Sequence, residues 1–575
     1  MGIFSTVPRP KVKRSVFSRS ISFENKLSFD FGMIVPILAK DLLPGDNFFY
    51  QPEVFLRCAP LIYPMMQMCD VHIDVFKFPM RLLMRDTPQI PGFETFMSPQ
   101  DVFGQGDQPN MTAFELEFND SSYNSLFAPG TLNDYLGIPT IDSNITFNTY
   151  NGQKMKFRAL DHIAYQWAYD EYYRNENLQQ PILNEDTDFL SKIIYDDEDL
   201  DRLMTLRFRN WTKDYFTSAL PNTQRGIDVG IPITADVPIH YKPPTPDDIL
   251  TGEVTTLVSI GSPEIAQGDA VLVGNKKGDI ENLPHYYLQS DGGNATAMDV
   301  DNSSRLYGQL SNVVATINDL RLSVALQAWA EASMRGGARY PEILMSTFGV
   351  RPRDARLQRP ECMGRVSFPL QISEVLQTSE TTNDSPQGNM SGRGIAYGRG
   401  RYIHIYAEEH CLLHAYISIM PRASYQQGLP KRYTKFDKFD YYWPQFDSLG
   451  EQPIADRELF YDFSKDWNDG KTNDHAFGYQ QRFCEYKAFP NEIHGDFKVQ
   501  GLNGWHMGRI FSSAPGLNSD FVNYESELDS LNQRVFASGS TNRSHIWCQT
   551  EANNNRTCQT WYNASVNLAD KMHVA

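Results

Sequence analysis

A group of histidines and glutamates is the strongest candidate for metal chemistry in this 575-residue sequence. His404, His410 and His414 fall close together, and Glu408 and Glu409 stand between the first two. Metal ligation requires such side chains to converge on one point, and a strand–turn–strand segment would put even-numbered residues of each strand on one face. Separate, hydrogen-bonded histidines are the more common outcome, and we favour that interpretation. The sequence therefore predicts neither a metal nor a cofactor.

The glycine–arginine stretch at residues 392–401, GRGIAYGRGR, superficially resembles a phosphate-binding loop. Its glycine spacing differs from that of a dinucleotide-binding fingerprint. It also opens a predicted strand instead of a helix, so no helix N-terminus would face the phosphate. A flexible loop with arginines that contact phosphate is the better interpretation.

The remaining enzyme motifs fail on spacing. Asp466, Asn468 and Gly470 resemble the start of a calcium loop, but Phe477 occupies the twelfth position, where a bidentate glutamate is required. The acidic run over residues 185–201 lacks ligand spacing and is better explained as a solvated face. No P-loop, HExxH or GxSxG pattern is present. Since nothing combines a nucleophile, a base and an orienting group, we expect a protein that is not an enzyme.

The elements that carry these residues are expected to be mainly strands. Hydrophobic residues make up 41% of the chain and aromatic residues 13%, and 38 glycines and 34 prolines are spread along it. This distribution favours short strands and long loops. Residues 71–76 alternate with a period of two, which predicts a strand with one buried face. Further strands are predicted at residues 366–372, 402–406, 412–420 and 561–568.

Two segments show helical spacing instead. Apolar residues recur every three or four positions over residues 156–174 and again over residues 317–334. The pair Gly336-Gly337 is expected to end the second helix.

Charge is distributed unevenly along the chain. The net charge is −18, yet residues 1–20 hold five basic residues and no acidic one, which leaves 47 basic and 70 acidic residues (−23) in the remainder. A basic arm on an acidic body is typical of a chain that touches phosphate with the arm, although a solvated terminus explains the same pattern. The candidate DNA-contact residues are Arg9, Lys11, Lys13, Arg14 and Arg19.

Cysteine usage and hydropathy indicate a protein folded in a reducing compartment. The seven cysteines include no CxxC pair, and their odd number argues against a secreted disulfide framework. No stretch approaches the roughly 20 apolar residues that span a bilayer. We therefore expect a soluble chain that is made in a cytoplasm and does not enter a membrane.

Residues 226–312 differ in character from the rest of the chain. They are polar and rich in turns, with short β-like pieces between the turns. A long excursion of this kind from a compact body is usually either functional or disordered. We expect a surface insertion that forms its own small β-structured protrusion.

Several blocks of sequence closely resemble the major capsid proteins of microviruses, and the gokushovirus-like branch is nearest in appearance. They are residues 330–340 (AEASMRGGARY), 354–361 (DARLQRPE), 425–430 (YQQGLP) and 440–444 (DYYWP), and they occur in the family's order. The resemblance runs from about residue 29 to 510. It fails over residues 226–312 and is weak after residue 503, so contacts made by those regions do not follow from it.

The resemblance implies a mainly β fold, an eight-stranded antiparallel viral jelly roll with long loop insertions and a few helices. The expected organisation is a basic arm (1–28), a first part of the jelly roll (29–225), the insertion (226–312) and a second part (313–575). It further implies an icosahedral T=1 shell of sixty copies around a circular single-stranded DNA. Implied partners are a small basic DNA-binding protein, internal scaffolding and pilot proteins, and a host receptor. The expected location is the virion, and the host cytoplasm during assembly.

Candidate contact residues follow from these expectations. Contacts between subunits are predicted for Arg356, Gln358, Arg359, Tyr425, Gln426 and Gln427, with packing inside the subunit as the alternative for each. Host attachment is predicted for Asn275, Lys276, Lys277, Asp291 and Asn294 in the insertion. A jelly-roll carbohydrate-binding protein is the competing class, and it would need neither the basic arm nor the blocks at 335–340 and 425–430. A cupin-type enzyme would need the histidines near residue 404 to converge.

Overall fold

A computed structural model describes most of the chain. The described residues are 17–85, 93–97, 115–118, 125–140, 155–183, 197–226, 229, 239–241, 259–260, 272–274, 285–289, 295–299, 306–308, 317–337, 339–376, 390–447, 449–464, 473–499, 501–537 and 558–570. The chain divides into two compact units, of which the larger combines residues 1–225 with 330–575 and the smaller comprises residues 226–329.

The larger unit is built on one antiparallel sheet. Its strands are β1 (Phe17–Phe29), β2 (Val35–Leu42), β3 (Asn47–Cys58), β4 (Cys69–Pro79), β13 (Glu361–Leu376), β14 (Met390–Arg399), β15 (Ile403–Tyr406), β16 (Cys411–Pro421) and β19 (Cys558–Asp570). Their order across the sheet is β1-β19-β3-β14-β13-β4-β16-β2, with β15 beside β3. The expectation of a mainly β, antiparallel fold is confirmed.

In the described residues the sheet holds nine strands, where eight are predicted. The difference arises at β3, because β14 pairs with residues 53–57 of that strand and β15 pairs with residues 47–50. Residues 400–402 are not part of a strand and separate β14 from β15. Both of these strands pair with the same neighbour, β3.

Smaller sheets complete the strand inventory. In the larger unit, β5 (Glu115–Phe118) pairs with β6 (Met155–Arg158), and β17 (Glu451–Ala455) pairs with β18 (Ala476–Gln481). The smaller unit contains a four-stranded sheet and a separate pair. These strands are β7 (Ile239–Tyr241), β8 (Ser259–Ile260), β9 (Leu272–Gly274), β10 (His285–Gln289), β11 (Ala295–Asp299) and β12 (Leu306–Gly308), in the orders β8-β11-β10-β9 and β12-β7.

Helices in the described residues are mostly short. The α-helices are α1 (Met80–Leu83), α2 (Phe93–Met97), α3 (Leu132–Tyr135), α4 (Leu160–Ala168), α5 (Asp197–Met204), α6 (Ile317–Gly336), α7 (Tyr340–Phe348), α8 (Asp456–Leu459), α9 (Ser519–Val522) and α10 (Leu528–Val535). Single 3₁₀ turns lie at Asp354–Leu357, Lys431–Thr434, Lys438–Asp440, Pro444–Phe446, Cys484–Tyr486, Gly495–Lys498, Asn503–Trp505 and Tyr524–Glu527. None of these helices is both long and apolar enough to cross a bilayer.

The strand predicted at residues 71–76 is confirmed within β4, but its single buried face is wrong beyond Ile73. From Asp74 to Pro79 both faces of β4 are buried. Val75 belongs to one hydrophobic core and Phe76 to a second core, on the other face of the sheet, which is completed by α4. A strand covered on both sides loses its alternation, as the continuous burial of β16 also shows.

The two predicted helices have different outcomes. Residues 317–334 are helical as predicted, within α6, and Gly337 follows that helix with a φ of +97°, the left-handed conformation that ends helices. In the segment 156–174, strand β6 occupies residues up to 158, and α4 then continues as a π-helix at Tyr169–Tyr173. The apolar side chains at helical spacing there fill the second core.

Candidate assembly surfaces

Most of the residues predicted to contact DNA or the host lie outside the described residues. They are Arg9, Lys11, Lys13 and Arg14 of the arm, and Asn275, Lys276, Lys277, Asp291 and Asn294 of the insertion. Arg19 is the exception, because its backbone belongs to β1, where it pairs with Leu568 of β19. The basic segment thus leads into a strand at the edge of the main sheet.

The predicted contact segment at 356–359 forms a tight turn at the surface. Gln358 ends the 3₁₀ turn Asp354–Leu357 with a φ of +53°. Arg359 is held inside the subunit, since its guanidinium lies 2.7 Å from a carboxylate oxygen of Asp354 and 5.3 Å from the centre of the Tyr172 ring. Arg356 and Gln358 remain exposed. Of the predicted contact residues in this turn, these two have side chains exposed enough to reach a neighbour.

The second predicted contact segment packs into its own subunit. Tyr425 is buried, and its hydroxyl donates a hydrogen bond to Asp214 at 2.7 Å. Burial and the Asp214 carboxylate raise the pKa of Tyr425 well above its ordinary value, so this tyrosine stays a donor. The Gln427 amide both donates to the carbonyl of Phe511 and accepts from its N–H, each at 2.7 Å. Gln426 is half-buried. Tyr425 and Gln427 therefore pack inside their own subunit, which was the alternative to a contact between subunits.

A fully buried arginine underlies this segment. The Arg509 guanidinium donates from Nε (2.8 Å) and Nη2 (2.6 Å) to Glu527, and from Nη2 to the Phe521 carbonyl at 2.6 Å. Its central carbon lies 4.0 Å from the Phe521 ring centroid. Burial alone would lower the pKa of Arg509, but Glu527 and Tyr425 raise it above its ordinary value. The sequence gives no sign of this cation, because its partners are set by tertiary packing.

A second ion cluster surrounds Asp74 in β4, where it is 1% exposed. The Tyr173 hydroxyl donates to this carboxylate at 2.7 Å, and Arg365 donates from Nη2 at 3.1 Å. Arg209 completes the cluster at 3.5 Å. Burial, with Asp74 next, raises the pKa of Tyr173, which remains protonated. This cluster joins β4, β13 and the π-helix, and three hydrogen-bonding partners compensate the buried charge.

Beside that cluster lies a cavity of about 1020 Å³ in the larger unit. Its charged lining comprises eight basic residues, Arg174, Arg209, Lys213, Arg335, Arg339, Arg351, Arg359 and Arg365, against Glu171, Glu176 and Glu342. Several arginines are neutralised, as in the 3.1 Å pair between Arg339 and Glu342. Six of the eight basic residues form ion pairs, so most of the positive charge of the lining is compensated.

The histidines singled out from the sequence have separate partners. His404 contacts Asn47 at 3.2 Å, whereas His414 is buried between Asp161 (3.0 Å) and Tyr416 (2.9 Å). His410 lies against Phe93, with ring centroids 5.4 Å apart. Within the part of the chain that the structure describes, no three histidine, cysteine or acidic side chains are placed to hold a metal ion.

The glycine–arginine stretch is a strand, so its interpretation as a flexible loop is wrong. Residues 392–399 lie in β14, between β3 and β13. A Cβ atom at Gly398 would come within 2.1 Å of the Phe368 ring, and one at Gly394 within 2.7 Å of the Cys58 sulfur. Because these glycines have no side chain, side chains of neighbouring strands can pack directly against the β14 backbone.

Comparisons with known proteins agree with this architecture. The chain matches the model of a family described as "Capsid protein (F protein)" over residues 5–559. It is 31% identical to "Capsid protein VP1" of Chlamydia phage 1, with 92% of each chain covered. It is also 31% identical to "Capsid protein VP1" of Bdellovibrio phage phiMH2K, covering 92% of this chain and 91% of the relative. For "Capsid protein VP1" of Spiroplasma virus 4, the identity is 25%, over 90% and 88%.

Proposed function

Because this chain belongs to the capsid protein (F protein) family and is a major capsid protein of the Microviridae type, we propose that its copies close into a T=1 icosahedral shell around a circular single-stranded DNA. The family match over residues 5–559 is the observation that carries the proposal. The large antiparallel sheet supports it, since jelly-roll subunits protect their sheet edges through packing and subunit contacts.

Electron microscopy of the source particle tests the shell. We expect uniform, closed particles of one small diameter, and image reconstruction should find sixty equivalent copies. Open filaments, or a shell with several non-equivalent copies, would contradict the T=1 assignment.

Within this shell, the basic arm is proposed to contact genome phosphates. Reversing Lys11, Lys13 and Arg14 to glutamate replaces attraction by repulsion, so the DNA content per particle should fall. We expect a partial loss, about twofold, because a small basic viral protein is proposed to neutralise part of the genome. The measurement is the ratio of nucleic acid to protein in purified particles.

A charge-matched control separates the arm from net charge. Lys26, Lys40 and Arg393 are exposed on the body of the larger unit, and reversing these three changes the net charge by the same amount. This control should leave the DNA content unchanged. Equal DNA content in the arm variant and the unmodified particle would refute the contact.

The insertion at residues 226–312 is proposed to attach the particle to its host. Its polar, turn-rich sequence supports this role, because exposed loops carry recognition on rigid scaffolds. Replacing it by a short glycine–serine linker should abolish adsorption to host cells while shells still form. Adsorption at the unmodified level by such shells would rule the role out.

The exposed turn residues Arg356 and Gln358 and the half-buried Gln426 are the remaining proposed contacts from the predicted set. Internal scaffolding and pilot proteins are proposed as further partners, with assembly in the host cytoplasm.

A further inference from the structure

Large apolar side chains are unusually exposed on one surface of the larger unit. Phe489 is 89% exposed, and the exposed side chains of Tyr433 and Tyr486 line the same part of the surface. A soluble monomer rarely leaves aromatic rings in water in such number. Exposed aromatic groups instead mark surfaces that a partner covers.

The same surface contains a hollow of about 670 Å³. We call it the aromatic hollow; its floor is Tyr215, Phe216 and Tyr425, and its rim includes Tyr433 and Phe489. The floor is rigid, because the Phe216 and Tyr425 rings pack edge-to-face 4.8 Å apart. The Tyr215 hydroxyl donates to buried Glu458 at 3.0 Å. A concave apolar site on a fixed floor suits one inserted side chain.

Charged side chains on the rim determine the net charge of the aromatic hollow. Lys435 pairs with Glu485 at 3.0 Å, and Lys431 lies 3.7 Å from Glu458, so these two cations are compensated. The other two basic rim residues, Arg432 and Lys498, make no ion pair with the described residues, and Arg432 lies over the Tyr433 ring at 4.7 Å. One further carboxylate of the lining, Glu492, lies 3.0 Å from His494. Four lysine and arginine side chains against three glutamates leave the hollow with a small net positive charge.

We propose that the aromatic hollow is a contact between subunits, which receives from a second copy of this chain an apolar side chain flanked by carboxylates. The proposal rests on the proposed shell and names one of its interfaces. A closed shell of one chain type must bury complementary patches on every copy. Carboxylates that could pair with the basic rim are abundant on a second copy, because the chain carries 70 acidic against 52 basic residues. In this proposal Tyr425, a predicted contact residue, forms part of the floor on which the inserted side chain packs.

Photo-crosslinking within particles identifies the occupant. A benzophenone amino acid replaces Phe489 in chains produced together with the other proteins of the particle, which are then purified and irradiated. We expect a product of twice 65.7 kDa that contains only this chain. A cross-link to a different protein or to DNA, or no cross-link in intact particles, would overturn the inference. Absence of particles from the unmodified chain would instead contradict the proposed shell.

Two substitutions test the energetic role. Phe489→Ser removes the apolar rim and Arg432→Glu reverses its charge, and each should reduce the yield of assembled shells by about tenfold or more. Thermal unfolding of the unassembled chains should not change, because both side chains project from the surface. Val375→Ser, which removes an apolar side chain that is 46% exposed on β13, is the matched control and should assemble normally. Normal yields from both rim variants would refute the contact.

Discussion

Arg509→Met is expected to lower the free energy of unfolding of the unassembled chain by about 3–5 kcal/mol, the range for breaking a buried ion pair. Methionine fills most of the volume but cannot donate to Glu527, so that carboxylate, which is only 18% exposed, loses its cation. The Phe521 carbonyl loses its 2.6 Å donor as well. The loss should also loosen Tyr425, which shares this network.

The effect can be assigned to the stranded carboxylate with a second variant. Arg509→Met combined with Glu527→Gln removes both charges, so it should be more stable than the single variant. Arg422→Met is the exposed control. Its guanidinium is 51% exposed and pairs with Asp70 at 3.2 Å, so at most about 1 kcal/mol should be lost. Urea unfolding of the four chains gives the comparison. A loss at Arg509 no larger than at Arg422 would show that the buried pair does not stabilise the fold.

The sequence carries enough information to predict strands whose environment is simple. The apolar run at residues 412–420 is long, lacks glycine and proline, and lies within β16, the fully buried strand. Residues 317–334 keep helical spacing within α6, and the glycines that follow end that helix. Both patterns involve residues that are close together in sequence, so they can be recognised without knowledge of tertiary contacts.

Predictions fail where the partner is far away in sequence. Asp74 looks like the polar position of an alternating strand, yet Arg365, 291 residues later, makes it a buried ion pair. The glycines of β14 look like a flexible loop, because Phe368, which needs the space above Gly398, is supplied by another strand. Register across the sheet decides both cases, and register is not a local property.

The candidate assembly surface shows the same division. Tyr425 was singled out as a contact residue from the family resemblance, and in the structure its side chain is buried and hydrogen-bonded to Asp214. The aromatic hollow combines residues near 215, 431 and 489, and no single segment has its pattern. Exposure of aromatic side chains is visible only after folding, so it could not be read from a composition in which aromatic residues make up 13% of the chain.

Gly428→Ala, next to that floor, is expected to lower the free energy of unfolding by about 3 kcal/mol. A Cβ atom at this position would lie 1.9 Å from the carbonyl oxygen of Glu458, so backbone must move. The two segments are joined on either side of the glycine: Leu429 donates to Arg457 at 2.7 Å, and Tyr461 donates to Gln427 at 3.0 Å. Overpacking costs about 1–3 kcal/mol, and weakening two hydrogen bonds adds about 0.5–1.5 kcal/mol each.

A second glycine provides the control for this close approach. A Cβ atom at Gly516 would meet no atom within 4 Å. Gly516→Ala should therefore be neutral, or stabilise the fold by up to about 1 kcal/mol because alanine lowers the conformational entropy of the unfolded chain. Thermal unfolding of both variants measures the difference, and equal midpoints would show that the segments do not touch at Gly428. Because Glu458 holds the Tyr215 hydroxyl in the floor of the aromatic hollow, the displacement should reach the proposed interface. Gly428→Ala should therefore also impair assembly at temperatures where the chain is still folded, which Gly516→Ala should not.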